Sequence, residues 1–390
     1  MKKKVNSTLL IILSVMTGCG GDKQSTDNLI TVDVTASYPK KELILQDFMD
    51  VEYIPLETTD EFITQGLFQD ISENFIIVRN RTDDGDIFIF DRNGKSIRKI
   101  NRKGQGVEEY INIFWVILDE NEREIFVNDF YSKRILVYDL EGNFKRSLPH
   151  KDGCRYGEFN KFDRGNLICY IESFDNQNTD TTNVIPSFVI ISKQDGSITE
   201  EIQIPYEEKK TPVVSLKADA NGLIYAYSPS TIHHLVPYFD NWILVDVSAD
   251  TLYRYSPDYT MQPFIARTPS IQSMNPEEFL FVSLFTDRYY FMEPVKKDLN
   301  AGFPGTDLLY DKQEKALFKY TVYNDDYSNK EEAFLKSRPV NNEIPCRQIL
   351  EAPDLVEAYK NGELKGKLKE IAAGLDEESN PVLMFLKHKK

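Results

Sequence analysis

Histidine is scarce in this sequence, which limits the chemistry that the chain can perform. Four are present among 390 residues, at positions His150, His233, His234 and His388. On a strand, the neighbours His233 and His234 would point to opposite faces and could not easily share one metal ion. The sequence contains no GxSxG, P-loop or HExxH motif. We therefore assign no catalytic residue, metal ligand or cofactor, and a lyase that needs several metal-binding histidines is not expected.

One acidic cluster could in principle hold a cation. Asp83, Asp84 and Asp86 surround Gly85, and calcium prefers clustered oxygen ligands of this kind. The cluster lacks the longer spacing and the terminal Glu of a known calcium loop. A hairpin turn centred on the glycine is the better interpretation.

The polar loop at residues 101–110 is a candidate anion-binding element. It contains two glycines, whose backbone N–H groups could cradle a negatively charged group. Arg102, Gln105 and Tyr110 would supply the side-chain contacts. These three residues are the first part of the predicted ligand-binding set.

The second part lies in the stretch YSPSTIHHLVPYFDNW at residues 227–242. Rings and amide side chains alternate here, and in an inter-strand loop they would suit stacking against sugars or peptides. The candidates are His233, His234, Tyr238 and Trp242. The alternative is that these rings pack between neighbouring sheets.

Charge and composition exclude one class of partner. The formal net charge is −16, and basic residues are interspersed with acidic ones rather than grouped. Such a surface repels phosphate backbones, so nucleic acid is not an expected partner. With 41% apolar and 12% aromatic residues, the chain can bury a substantial core and leans towards sheet structure.

The amino terminus has the parts of an export signal. A basic start and a short apolar run fill residues 1–18, and the run is too short to span a bilayer. The sequence from Met16 to Cys19 resembles the lipobox of bacterial lipoproteins, in which the Cys19 thiol is acylated. Residues 19–28 then form a flexible tether. We expect a lipid anchor in the membrane, with an ordinary cleaved signal as the alternative.

Three further cysteines follow, Cys154, Cys169 and Cys346. In an oxidising compartment Cys154 and Cys169 could form a disulfide, since they are close in sequence. Three buried free thiols are the alternative.

Two stretches of the chain are versions of each other, and they indicate the architecture. Residues 87–100 and 135–148 align without a gap, so that Asp91 and Gly94 match Asp139 and Gly142 at an offset of 48. Each copy reads as a strand, a turn ending in Gly and a second strand. One hairpin cannot bury its own apolar face, so the repeat predicts an array of packed sheets. The repeated Asp is expected to bond its own turn.

Looser copies extend this pattern to residue 320, and the termini supply single strands. Residues 51–56 and 382–386 are predicted to pair and close a ring, which would remove exposed sheet edges. Residues 353–375 are predicted to form a helix just before the closing strand. The expected fold is an all-β, six-bladed propeller in one domain over residues 29–390, with seven blades as the alternative. The looser copies lie at residues 187–204, 222–255 and 279–320.

Short motifs add a resemblance to a known family. They are VEYIPLETT at residues 51–59, FDRNGK at 90–95, KGQG at 103–106 and NPVL at 380–383. Together with the lipobox, they resemble the six-bladed β-propeller lipoproteins of Bacteroidota, which are distantly similar to NHL-type propellers. The resemblance implies a propeller and a lipid anchor, and little about chemistry.

The sequence therefore predicts a lipid-anchored binding or scaffold module at the cell envelope, with the outer membrane as the expected site. A glycan, a peptide or an envelope protein would bind at one mouth of the channel, and this binding role is favoured over an enzymatic one. The alternative is a calcium-type hydrolase or lactonase, whose scattered carboxylates leave no local motif. A subunit of an uptake complex is a third interpretation.

Overall fold

The protein is described by a computed structural model over residues 29–81, 83–172, 186–217 and 224–389. The predicted signal, the tether and Cys19 lie outside the described residues. Within the described ranges, no helix is long and apolar enough to cross a bilayer.

The described chain begins with short elements that join sheets formed later in the sequence. They are β1 (Ile30–Asp33), β2 (Lys40–Ile44), the single-turn helix α1 (Leu45–Phe48) and β3 (Met49–Pro55). Each of the three strands ends up in a different sheet.

Three four-stranded antiparallel sheets follow, and each is one blade. The first blade contains β4 (Leu67–Ile71), β5 (Phe75–Arg79), β6 (Asp86–Asp91) and β7 (Ser96–Asn101). The second contains β8 (Trp115–Asp119), β9 (Glu124–Asp129), β10 (Arg134–Asp139) and β11 (Phe144–Pro149). The third contains β12 (Arg155–Lys161), β13 (Asn166–Glu172), β14 (Phe188–Ser192) and β15 (Ile198–Ile202).

A separate two-stranded sheet precedes the fourth blade. It pairs β16 (Val214–Lys217) with β17 (Ile224–Tyr227). The fourth blade contains β18 (Leu235–Tyr238), β19 (Asn241–Leu244), β20 (Thr251–Tyr255) and β21 (Met261–Thr268). After a short 3₁₀ helix (Ile271–Ser273), the fifth contains β22 (Glu278–Phe285), β23 (Tyr289–Lys296), β24 (Leu308–Asp311) and β25 (Ala316–Tyr323). β1 and β2 add parallel fifth strands to the fourth and fifth blades.

The sixth blade closes the ring with strands from both ends of the chain. It contains β26 (Cys346–Leu350), β27 (Val382–His388) and β3, in that order. β27 pairs antiparallel with β3 from Val382 opposite Pro55 to His388 opposite Met49. The predicted closing pair is therefore confirmed, as is the six-bladed all-β fold. The two-stranded sheet is too small to be a seventh blade.

The helical segment before the closing strand is also present, although it forms two helices rather than one. They are α2 (Ala352–Lys360) and α3 (Gly366–Ala372). The chain turns between them at Gly362, whose φ is +73°, a value that favours glycine and ends a helix.

Hydrophobic layers between neighbouring blades form the core. Ile87 and Ile89 of β6 pack towards the second blade, where they meet residues such as Val116. Phe88 and Phe90 of the same strand pack towards the sixth blade. Because both faces of a blade are buried, its middle strands read as continuous apolar runs rather than as alternating ones.

The repeated turns behave as the sequence predicts. The Asp91 carboxylate accepts hydrogen bonds from the N–H groups of Asn93 and Lys95, at 2.7 and 2.9 Å. Asp139 does the same for the N–H groups of its own turn, at 2.9 and 2.8 Å. The repeated Asp therefore stabilises its own turn by accepting backbone hydrogen bonds.

The prediction for the fourth blade was wrong in one respect. Residues 224–227 lie in the separate two-stranded sheet, and the blade instead begins with β18, inside the stretch that the sequence suggested was a loop. The reason is a two-residue turn at Phe239 and Asp240, in which Phe239 has a φ of +49°. This turn lets residues 235–238 pair with residues 241–244. Pro237 is tolerated because β18 is at the edge of its sheet.

The three later cysteines are buried free thiols. Cys154 and Cys169 do not form a disulfide, and burial raises the pKa of both thiols above the ordinary value. The alternative that the sequence left open is the one observed.

Candidate functional site

The inner strands of the blades surround a central axis. β4, β8, β12, β18 and β22 are the first strands of the first five blades, and successive members contact each other. In the sixth blade, residues 335–340 run beside β26, where the Arg347 N–H donates to Ser337 Oγ at 3.0 Å. This irregular segment brings Arg338 to the axis, next to Phe68 of β4.

Carboxylates on these inner strands tie neighbouring blades together. A register shift follows Phe68 in β4 and Tyr156 in β12. After the first shift, Asp70 accepts a hydrogen bond from the Leu118 N–H of the second blade at 2.7 Å. After the second shift, Glu158 accepts hydrogen bonds from the N–H groups of His234 and Leu235, each at 3.1 Å. The bulges therefore aim acids at the next blade.

Near Glu158 the axis opens into a cavity of about 580 Å³. The walls come from β8, β12, β13 and the connection between the third and fourth blades, together with the irregular segment of the sixth blade. Lining side chains that can interact strongly with a ligand are Phe114, Trp115, Glu158, Tyr170, Glu172, Lys209, Lys210, His233, His234 and Arg338.

The two histidines have defined tautomers. His234 Nδ1 lies 2.8 Å from the Val245 carbonyl oxygen, and its ring stacks on Tyr170 with centroids 3.6 Å apart. A carbonyl oxygen can only accept, so Nδ1 carries the proton and Nε2 presents a lone pair. His233 Nε2 lies 3.2 Å from the Lys336 carbonyl oxygen and carries the proton for the same reason. Burial lowers the pKa of both rings, that of His233 to about 4, so both are neutral at pH 7.

The two cavity carboxyls differ in charge state. Burial alone would raise the pKa of Glu158, but the Arg338 guanidinium and the hydrogen bond from the His234 N–H hold it below the ordinary value. For Glu172, burial and then the negative charge of Glu158 raise the pKa to about 7. A fixed anion thus lies beside a carboxyl that titrates near neutrality.

Glu172 also differs from Glu158 in its contacts. It stands at the end of β13, partly buried and opposite Arg155 of β12, and none of the described residues gives its carboxylate a hydrogen bond or an ion pair. Its Oε2 lies against Gly157, where an added Cβ would be only 2.7 Å away. The glycine therefore leaves space for this carboxyl at the cavity wall.

Aromatic groups complete the site. The Arg338 guanidinium lies over the Trp115 ring, 3.8 Å from its centroid. Phe114 stacks on Phe130 at 4.6 Å, and Phe130 contacts the ring of Tyr131, which is 67% exposed. Flat apolar faces thus extend from the cavity wall to the surrounding surface, an arrangement suited to a ligand with apolar faces.

The residues predicted in the 101–110 loop lie elsewhere. Tyr110 is buried, and its hydroxyl donates to the Gly85 carbonyl at 2.7 Å and accepts from the Arg102 N–H at 2.8 Å. Arg102 Nε donates to the Gly142 carbonyl at 2.7 Å. Gln105 is exposed and is not part of the cavity wall. These contacts join the loop to the turns of the first two blades.

The second predicted set is divided by the structure. His233 and His234 line the cavity. Tyr238 packs against the fifth blade, where its hydroxyl lies 2.7 Å from that of Tyr290. Trp242 is partly buried against the layer between the third and fourth blades. Tyr238 and Trp242 thus follow the alternative in which rings pack between sheets.

Sequence reasoning missed Trp115, Tyr170, Glu172 and Arg338. Glu172 carried a weak signal, because it ends an apolar strand with a carboxylate. Arg338 carried none, since it belongs to an irregular segment that reaches the cavity from a distant part of the chain.

In the described part of the chain, no group of three His, Cys, Asp or Glu residues is placed to hold a metal ion. Residues 83–85 lie in the connection between β5 and β6, and Asp86 is the first residue of β6. Asp83 Oδ2 is 3.0 Å from Lys103 Nζ. This placement agrees with the hairpin-turn interpretation.

Comparisons with known proteins agree with the fold. The sequence model of the family DUF5128, described as a 6-bladed beta-propeller, matches residues 21–343. No curated protein matches the chain. A crystal structure from Bacteroides fragilis, of a protein described as exported, is similar with a TM-score of 0.58 and 17% identity, covering 93% of this chain and 100% of that one.

Two further structures are similar at lower scores. A member of the DUF4221 family from Bacteroides vulgatus has a TM-score of 0.45 and 10% identity, covering 87% of this chain and 96% of that one. Virginiamycin B lyase from Staphylococcus aureus has a TM-score of 0.36 and 11% identity, covering 87% and 100%.

Proposed function

We propose that this chain is a ligand-binding module held at the bacterial cell envelope by a lipid on Cys19. The chain belongs to the six-bladed β-propeller family DUF5128. Its ligand would enter the cavity at one mouth of the channel. The observation that carries this proposal is the cavity itself, of about 580 Å³, with charged, imidazole and aromatic side chains converging on it.

Part of the cavity wall comes from a connection that the other blades do not repeat. Residues 203–234 connect the third and fourth blades, whereas residues 102–114, 150–154 and 269–277 make shorter connections elsewhere. Long connections on a rigid scaffold commonly carry binding function. In this chain the long connection supplies both cavity histidines.

Export and anchoring rest on the amino-terminal sequence. A basic start, an apolar run and the lipobox-like residues before Cys19 support acylation. The Bacteroides fragilis protein with a similar fold is described as exported, which supports export of this chain as well. A glycan or peptide of the envelope is the proposed ligand type, because aromatic faces and polar groups share the site.

Blocking the cavity tests this function. Ser228 lines the cavity and is exposed, so Ser228→Trp should fill it without disturbing the core. Gln194→Trp is the matched control, because Gln194 is exposed in the turn between β14 and β15, outside the cavity wall. A panel of envelope saccharides and peptides would be screened by thermal shift and calorimetry.

We expect at least one compound to bind the unmodified protein and Gln194→Trp equally, and to bind Ser228→Trp at least about tenfold more weakly. If no compound binds, or if Ser228→Trp binds as well as the control, the cavity is not the binding site.

A further inference from the structure

We propose that the cavity selects ligands that carry a primary ammonium group, with the Glu172 carboxylate as the counter-charge. This inference rests on the proposed function and names the chemical class of its ligand. It follows from which charged groups in the cavity have partners among the described residues and which do not.

The negative groups are unequal in this respect. Glu158 already accepts hydrogen bonds from two backbone N–H groups of the fourth blade. Glu172 lines the same cavity and receives no hydrogen bond or ion pair from the described residues. A partly buried carboxylate without a partner is costly, and a bound ammonium would relieve that cost.

The positive groups around the cavity have other contacts. Lys209 Nζ lies 2.9 Å from Asp246 Oδ2, and Lys210 Nζ lies 2.8 Å from Glu208 Oε2. The Arg155 guanidinium, on the strand next to Glu172, lies over the Phe130 ring at 5.7 Å. Among the described residues none of these three cations forms an ion pair with Glu172, although Arg155 is its cross-strand neighbour and the Arg155 charge lowers the Glu172 pKa.

Arg338 is held in a similar way. It lies over Trp115, and its Nη2 is 3.4 Å from the Phe159 carbonyl oxygen. Its positive charge also acts on Glu158. The neutral imidazoles of His233 and His234 add no charge, so Glu172 is the carboxyl to which a ligand cation would bind.

The neighbouring rings suit such a cation. An ammonium group is attracted to the faces of aromatic rings, and an apolar body attached to it packs against them. Phe114, which is 38% exposed, and Trp115 supply ring surface in the wall that also contains Glu172. Arg338 covers one face of Trp115, and His234 covers one face of the nearly buried Tyr170, so the ligand would pack against the ring surface that these groups leave open. A small aromatic amine is therefore a suitable probe for the site.

Binding should release a proton. In the free protein Glu172 titrates at about pH 7, under the influence of burial, Glu158 and Arg155. The bound ammonium stabilises the carboxylate, so the carboxyl O–H bond breaks, its proton passes to a buffer base, and no other covalent bond changes. Affinity should therefore rise from about pH 6 to about pH 8, until the amine itself begins to lose its proton.

Calorimetry with three isosteric probes tests the inference: benzylamine, benzyl alcohol and benzoate. The full-length protein would be compared with Glu172→Gln and with Glu200→Gln, in which an exposed glutamate on β15 is changed. Benzylamine should bind at least about tenfold more tightly than benzyl alcohol, and Glu172→Gln should remove that preference. Glu200→Gln should retain it.

Two additional readouts separate a direct role of Glu172 from a structural one. Proton release, measured in buffers of different ionisation enthalpy, should accompany benzylamine binding near pH 7 and vanish in Glu172→Gln. Circular dichroism should show that Glu172→Gln melts at or above the temperature of the unmodified protein, because the variant no longer buries a carboxylate.

Equal affinity for benzylamine and benzyl alcohol would overturn the inference, as would tighter binding of benzoate or full retention of the preference in Glu172→Gln. Failure of benzylamine to bind would overturn it as well. The proposed function would survive any of these results if another ligand bound and Ser228→Trp abolished its binding. It would fall together with the inference if no compound bound in a cavity-dependent way.

Discussion

At the scale of single residues, the repeated glycines have a second task besides the turn. Gly94, Gly142 and Gly196 have φ values of +80°, +84° and +76°. Each also lies against the last strand of the preceding blade: a Cβ on Gly94 would overlap the Pro55 carbonyl oxygen, and one on Gly142 would lie 2.9 Å from Ile100 Cγ2. The glycine is thus required by the backbone conformation and by blade-to-blade packing.

Alanine substitutions should separate these two requirements. Gly153 has a φ of +74° with nothing within 4 Å of an added Cβ, so Gly153→Ala should cost only the conformational term, about 1 kcal/mol. Gly94→Ala should cost about 3 kcal/mol or more, because the backbone must also move. Denaturant unfolding measures both free energies. Equal losses in the two variants would show that packing against the preceding blade has no role.

At the scale of elements, the amino-terminal strands β1 and β2 each add a fifth strand to the edge of a blade that is formed later in the sequence. β1 pairs in parallel with β21, and Ile30 and Val32 fill the layer between the fourth and fifth blades. Thr31, between them, faces outwards. The alternation predicts that β1 contributes to the core through one face alone.

A pair of charge substitutions tests this placement. Val32 is fully buried, so Val32→Asp should destabilise the protein by about 3 kcal/mol through an unpaired buried carboxylate. Thr31→Asp, one residue away on the exposed face, should change the unfolding free energy by less than about 0.5 kcal/mol. Chemical denaturation compares the two. A small effect of Val32→Asp would mean that β1 is not packed against the fifth blade.

At the scale of the whole molecule, the ring is closed by one strand. β27 lies between β26 and β3, and its residues Val382 to Leu386 are almost completely buried. They pack into layers on both sides, towards the fifth and the first blade. Closure therefore removes two sheet edges and completes two apolar layers at once.

Removing residues 382–390 should therefore abolish cooperative unfolding of the ring rather than lower its midpoint slightly. The control lacks residues 389–390 alone and should melt like the full chain. Thermal melts by circular dichroism, with size-exclusion chromatography, report the difference. A peptide of residues 382–390 added in trans should restore part of the stability, and a truncated chain that melts normally would contradict strand closure.

Much of this fold was predictable because it depends on local chemistry. Strand propensity, Asp and Gly at the turns and the recurrence at an offset of 48 specified hairpins, and hairpins that cannot bury their faces alone must stack. Pairing of the two termini followed from the need to cover edges. The fourth blade was misassigned because residues 235–238 contain a proline and follow two histidines, which read as a loop.

The candidate site was much less predictable. The sequence by itself determined the repeated hairpins of most blades, their turns and the closing strand, since these are set by propensity and period within short windows. Only the tertiary structure placed Glu172, Trp115 and Arg338 around one cavity, because they come from the third blade, the second blade and an irregular segment of the sixth. Their proximity depends on ring closure, and the raised pKa of Glu172 depends on burial and on Glu158, which no local pattern encodes.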